Sequence, residues 1–168
     1  MNITSIAIYV VVAALVFYKV IYSQMRGTLV STRSLTLMPL ILIGLGLTST
    51  VPVLGSASAG EIALLAADVV VLAGLGVVRS TSTKLSERQG TTFQKGSPLT
   101  IGLWVLTIAV RIGFVALGSA LGIAGPLTSA SIALTIGLSI GVQNVTTYLR
   151  IQQRGLPLAE GRRPALVK

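Results

Sequence analysis

The stretch EIALLAADVVVLAGLGVVR, residues 61–79, decides the fold class. Seventeen residues separate Glu61 from Arg79, and only one of them, Asp68, is charged. At ~1.5 Å of helical rise per residue, such a run nearly crosses a ~30 Å hydrocarbon layer. The same pattern recurs on both sides of it. Apolar runs at 3–22, 35–54, 99–121 and 127–149 alternate with short polar gaps, which predicts an all-α membrane protein built as a bundle of five transmembrane helices. The composition agrees. The chain of 168 residues is 52% hydrophobic and 10% charged, with mean hydropathy +0.87. A soluble domain carries about a quarter charged residues. Five spans leave no room for a second folded domain, so 1–149 reads as one transmembrane unit.

The basic residues set an orientation. Of thirteen Lys and Arg, all but Arg111 fall at the end of the first run, in the gaps after the first and third runs or in the tail, and the other two gaps carry none. Basic loops stay on the cytoplasmic side, so the N-terminus is expected outside and the C-terminus in the cytoplasm of a bacterial inner membrane. The first run has no basic residues ahead of it, Lys19 near its end, and Arg26 and Arg33 behind it, which marks a retained helix. Tyr18, Tyr22 and Trp104 suit interfacial anchors. The net charge of +9 is accounted for by anionic lipid at the cytoplasmic face, not by nucleic acid. The gap at 79–98, with Thr-rich halves around Gly90, reads either as a small β-hairpin or as an irregular loop. The tail at 150–168, rich in Arg, Gly and Pro, reads as a disordered cytoplasmic segment.

Two intramembrane charges face each other on depth alone. Asp68 lies seven residues past Glu61, ~10 Å below the outer surface, and Arg111 lies eleven residues past Thr100, ~16 Å above the inner one. The depths agree within about a turn, which predicts a buried Asp68–Arg111 ion pair between the third and fourth spans. Such a pair either fixes which helices touch or marks a transport path. Small residues four apart, Ala133, Gly137 and Gly141 in the last span and Gly118 and Gly122 in the one before, are expected to let helices approach closely, within one chain or in a homodimer. Gln143 and Asn144 form a candidate polar cluster near the cytoplasmic end. Only Thr107, Ser119 and Thr135 stand out as further polar positions, and they trace no continuous path.

The chemistry that is missing narrows the function. With no Cys and no His, thiol chemistry, haem ligation and most zinc sites are excluded. The four carboxylates, Glu61, Asp68, Glu87 and Glu160, are scattered, and no serine has a base beside it. No catalytic residues, cofactor or metal are expected.

Several short motifs, GLGVVR at 74–79, RQG at 88–90, KGSPLT at 95–100, LW at 103–104 and AVR at 109–111, resemble the CcdC-like family of small bacterial membrane proteins. The resemblance covers about residues 26–115, and Trp104 and Arg111 are its most specific positions. It implies a cytoplasmic-membrane protein of four or five spans and supplies no activity. The family name comes from a neighbourhood of cytochrome c biogenesis genes, but a chain without Cys does not fit a thiol relay. The expectation is a non-enzymatic accessory protein that binds or stabilises a membrane partner. The alternative is a small transporter or ion-coupled permease using Asp68 and Arg111.

Overall fold

The computed structural model describes residues 27–88 and 90–158. The expected first span, with Tyr18 and Tyr22, lies outside the described residues, as does the tail from 159 onward. Four helices are long and apolar enough to cross a membrane: α1 (Thr32–Leu54), α2 (Ala59–Ser82), α3 (Pro98–Ala120) and, after the short α4 (Pro126–Ala130), α5 (Ile132–Gln153). The last expected span is therefore two helices meeting at Ser131, and α5 continues four residues into what reads as disordered tail. α2 likewise runs past 78, so Arg79 lies inside a helix and not in a loop.

Local sequence explains the ends. Ser58 caps α2 in a reciprocal box with Glu61, and Ser97 caps α3 in the same way with Thr100, ahead of Pro98 in the first turn. Gly122 and Gly155 stop α3 and α5. Each has positive φ, and the residue after each donates back to the third-last helical carbonyl: Ile123 to Gly118, and Leu156 to Ile151. Gly122, expected as a packing residue, is thus a helix terminator with nothing within 4 Å of a Cβ built there.

Pro39 lies within α1. Because α1 starts at Thr32, this proline sits well inside the helix and deprives the Leu35 carbonyl of its usual donor. Asn144 on α5 supplies the replacement, donating from Nδ2 to Leu35 O at 2.7 Å.

The long helices pack in the order α1–α5–α2–α3. Glycines set the two tightest approaches. Gly46 lies against the Leu134 backbone, and a Cβ on Gly137 would come within 2.9 Å of Ile43 N, so α1 and α5 touch almost backbone to backbone. Gly76 plays the same part between α2 and α5, where a Cβ would meet Ser139 O at 2.5 Å. Gly118 packs against Leu64 on α2; Gly141 makes ordinary contact with Pro39, and Ala133 is half-buried.

The hairpin reading of 79–98 holds and is extended. β2 (Lys84–Arg88) and β3 (Thr91–Lys95) form an antiparallel hairpin, and β1 (Thr28–Leu29) adds a third strand beside β3. An isolated hairpin is marginal. This one is held down by an apolar cluster of Val30, Leu35, Leu85 and Ile151, joined by Tyr148, Leu156 and Leu158. The chain after α5 also ties to it, since Thr92 donates to Pro157 O through both N–H (2.8 Å) and Oγ1 (2.6 Å). The sheet covers one end of the bundle, where α1 and α3 begin and α2 and α5 finish.

Around the bundle the burial pattern is inverted. Leu, Val and Ile side chains such as Leu40, Val70, Ile112 and Val145 stand exposed on every long helix. The buried set among the described residues holds 14 polar or charged side chains and 7 hydrophobic ones. A water-soluble fold of this size would not expose so much apolar surface, whereas a lipid-embedded one gains by it.

Candidate functional site

The interior polar groups form one column between α2, α3 and α5. Its first part lies at the end away from the sheet. Asp68 is 0% exposed and sits two turns below Glu61 on the same face of α2. Arg111 of α3 donates from Nη1 to Asp68 Oδ2, so the expected ion pair is present. Its Nη2 donates to Thr128 O and to Ser131 Oγ (3.2 Å), which is what α4 and the break at Ser131 provide. Glu61 uses Oε2 to accept from Ser58 N–H at 3.0 Å, and its carboxylate is roofed by Gly125, where any side chain would collide with it. Three buried polar atoms here have no hydrogen-bond partner: Glu61 Oε1, Asp68 Oδ1 and Arg111 Nε. A cavity of about 10 Å3, lined by Glu61, Asp68, Arg111, Phe114, Thr128 and Ser131, lies among them.

The second part is centred on Arg79, which the sequence places in a cytoplasmic loop and the structure places in the core. Arg79 is 0% exposed. Nε donates to Gln143 Oε1 (2.5 Å), Nη1 to Thr107 Oγ1 (3.2 Å) and Nη2 to Ser139 Oγ (3.0 Å). The Trp104 ring lies 3.9 Å from the guanidinium carbon, close enough for a cation–π contact. Trp104, expected as an interfacial anchor, therefore also packs against an interior charge. No carboxylate pairs with Arg79; among the described residues the Asp68–Arg111 contact is the only ion pair. Beyond Arg79 the column continues through Ser80 and Thr147, 2.9 Å apart, to Arg150, which donates to Ser80 O and stabilises the C-terminal end of α2.

The expected Gln143–Asn144 cluster is divided. Gln143 serves Arg79, whereas Asn144 serves the α1 backbone. Thr107 and Thr135 belong to the column; Ser119 is exposed and bonds only to Val115 O. The interior holds more polar positions than the three expected, although they do not form an unbroken path. The signal was present in the sequence: Ser131, Thr135, Ser139, Gln143 and Thr147 recur every four residues along α5, and all are buried. They were masked by the Gly stripe offset by two residues on the same helix, which faces α1 instead. The column has one apolar interruption. Leu72, fully buried one turn below Asp68, separates the two charged parts.

The outer face of α3 is a second feature. Gly102, Ala109, Gly113, Ala116 and Ala120, spaced on one side of the helix, are all exposed, and nothing lies within 4 Å of a Cβ built on Gly102 or Gly113. This row is opposite the face bearing Thr107, Arg111 and Gly118. The described residues contain no group of three or more His, Cys, Asp or Glu side chains that could hold a metal ion.

Compared with family models, curated proteins and solved structures, the chain has no match.

Proposed function

We propose that this chain is a non-enzymatic accessory protein of a bacterial cytoplasmic membrane, which binds another membrane helix across the outer face of α3. The carrying observation is the exposed row of Gly102, Ala109, Gly113, Ala116 and Ala120. In lipid there is no hydrophobic force between helices, and small residues are what allow backbones to close on each other. Inside the chain the tight glycines, Gly46, Gly76 and Gly137, already have a helix against them. The α3 row has none among the described residues. A second copy of the chain or an unrelated membrane partner would fit it. We place the sheet end in the cytoplasm, since Arg33, Lys84, Arg88, Lys95, Arg150 and Arg154 all belong to it. Kinship with the CcdC-like family remains part of this proposal.

Cysteine at Gly113 tests the reading. Oxidation in native membranes is expected to link it to a second copy or to a partner protein, and Gly113→Leu is expected to abolish the complex while leaving the bundle's thermal stability intact. Capture of Gly113→Cys within the chain by a second cysteine placed in the segment at 3–22, with no complex found, would retire the proposal.

A second reading, a small ion-coupled permease, is favoured by one observation: the polar column from Glu61 to Arg150, broken only at Leu72. Intramembrane charges mark ion pathways by default.

A further inference from the structure

We infer that Asp68 is a proton-binding site, loaded through Glu61 from the membrane face opposite the sheet and closed off below by Leu72. The inference deepens the permease reading and rests on it, naming the proton as the ion.

The charge count comes first. The cluster holds two carboxylates from α2, Glu61 and Asp68, and one guanidinium from α3, Arg111; α4 and the break after it contribute Thr128 and Ser131, which carry no charge. With all three groups ionised the buried cluster has one negative charge too many, and a single proton brings it to neutrality. Uncompensated charge is costly in a low-dielectric interior.

Hydrogen-bond valence agrees. Asp68 spends Oδ2 on Arg111 and leaves Oδ1 buried and unpartnered; Glu61 spends Oε2 on its helix cap and leaves Oε1 in the same condition. No protein group satisfies these two oxygens, which leaves each able to take a proton or a water. Arg111 Nε–H, also unpartnered, is a donor awaiting an acceptor. The cavity they line is about the size of one water, and a water there can accept from Nε–H and donate to a carboxylate oxygen.

Geometry supplies the route and its end. Glu61 stands in the first turn of α2, nearest the bundle's surface, with Asp68 ~10 Å deeper along the same face. Below Asp68, α2 offers no polar side chain until Arg79; residues 69–78 are VVVLAGLGVV, and Leu72 is fully buried. A hydronium at the surface transfers H+ to Glu61, the intervening water passes it on, and it comes to rest on Asp68 Oδ1 while Oδ2 keeps Arg111. One O–H bond forms at Asp68 for each lost by hydronium, and nothing is oxidised.

The test uses the full chain in lipid vesicles of known orientation. In a Glu87→Gln, Glu160→Gln background, infrared difference spectra between alkaline and acidic buffer are expected to show the carbonyl band of a protonated carboxyl group, produced by acidifying the Glu61 side alone and not the sheet side alone. Asp68→Asn should lose the band. Glu61→Gln should keep it but slow its appearance after a pH jump by about a hundredfold, the low end for a positioned proton-transfer group. In unmutated protein, where folding is not in question, dicyclohexylcarbodiimide should modify Asp68 under acidic conditions. Absence of the band, its persistence in Asp68→Asn, or an adduct on Glu61 alone would overturn the inference. A pH-sensitive dye sealed in the vesicles separates it from the permease reading. A band without proton flux supports the site and removes transport; flux without the band removes the site and leaves transport.

Discussion

Asn144 and Pro39 illustrate how much of this protein is decided by single polar atoms. A proline inside a membrane helix frees a carbonyl that lipid cannot solvate, and here one amide nitrogen on a neighbouring helix meets it. Asn144→Ala is therefore expected to destabilise the bundle by about 1–2 kcal/mol, the cost of an unsatisfied buried group. In a Pro39→Ala background the Leu35 carbonyl regains a donor from its own helix, so the same Asn144→Ala change should then cost almost nothing. Thermal unfolding of the four proteins in detergent measures this; additive effects would show that the two residues are not coupled. Arg79 follows the same rule on a larger scale. Each of its three nitrogens donates once, to Gln143, Thr107 and Ser139, so side chains stand in for water around the charge.

At the scale of the helix, glycines of one sequence type carry three different duties. Gly46, Gly76 and Gly137 admit a neighbouring backbone, Gly122 and Gly155 reverse the chain in the left-handed region, and Gly102 and Gly113 lie open on α3. Substitution should separate them. Gly137→Leu pushes α5 off the α1 backbone and is expected to lower stability by roughly 3 kcal/mol, the upper part of the overpacking range. Gly122→Ala meets no neighbour but must hold positive φ, costing about 1 kcal/mol. Unfolding midpoints ranked in the opposite order would contradict these assignments. α5 carries the greatest load, since its glycine face meets α1 and its hydroxyl-and-amide face meets α2. That double use explains why it is the least apolar of the four helices, with a mean hydropathy of 1.3 against 2.0 to 2.2 for the others.

For the molecule as a whole, the bundle has an apolar exterior and a polar interior, with a basic, sheet-covered end. The positive-inside bias predicts that the two ends lie on opposite sides of the membrane. Cysteines at Ser56, in the exposed turn before α2, and at Glu87, exposed on β2, test it. A membrane-impermeant thiol reagent is expected to reach Ser56→Cys from outside and Glu87→Cys only after the membrane is opened. Labelling of both from one side would show that the helices do not cross.

The apolar runs at 35–54, 61–78 and 99–121 were legible in the sequence because hydropathy and a fixed rise per residue are local properties, and the same regular rise put Asp68 and Arg111 at one depth. The choice between hairpin and irregular loop at 79–98 could not be made locally, because a short hairpin persists only where something holds it, and Val30, Leu35, Ile151 and Pro157, which hold Leu85 and Thr92, come from elsewhere in the chain. Arg79 is the sharper case. At the end of an apolar run a basic residue looks like an anchor in water, and only the meeting of Thr107, Ser139 and Gln143 from two other helices makes it a core residue. The physical reason is common to both. Lipid is as apolar as leucine, so the apolar pattern that reveals a membrane helix says nothing about which face turns inward. That choice belongs to partner atoms, hydrogen-bond donors and glycine gaps on other helices, and these meet only in the folded bundle.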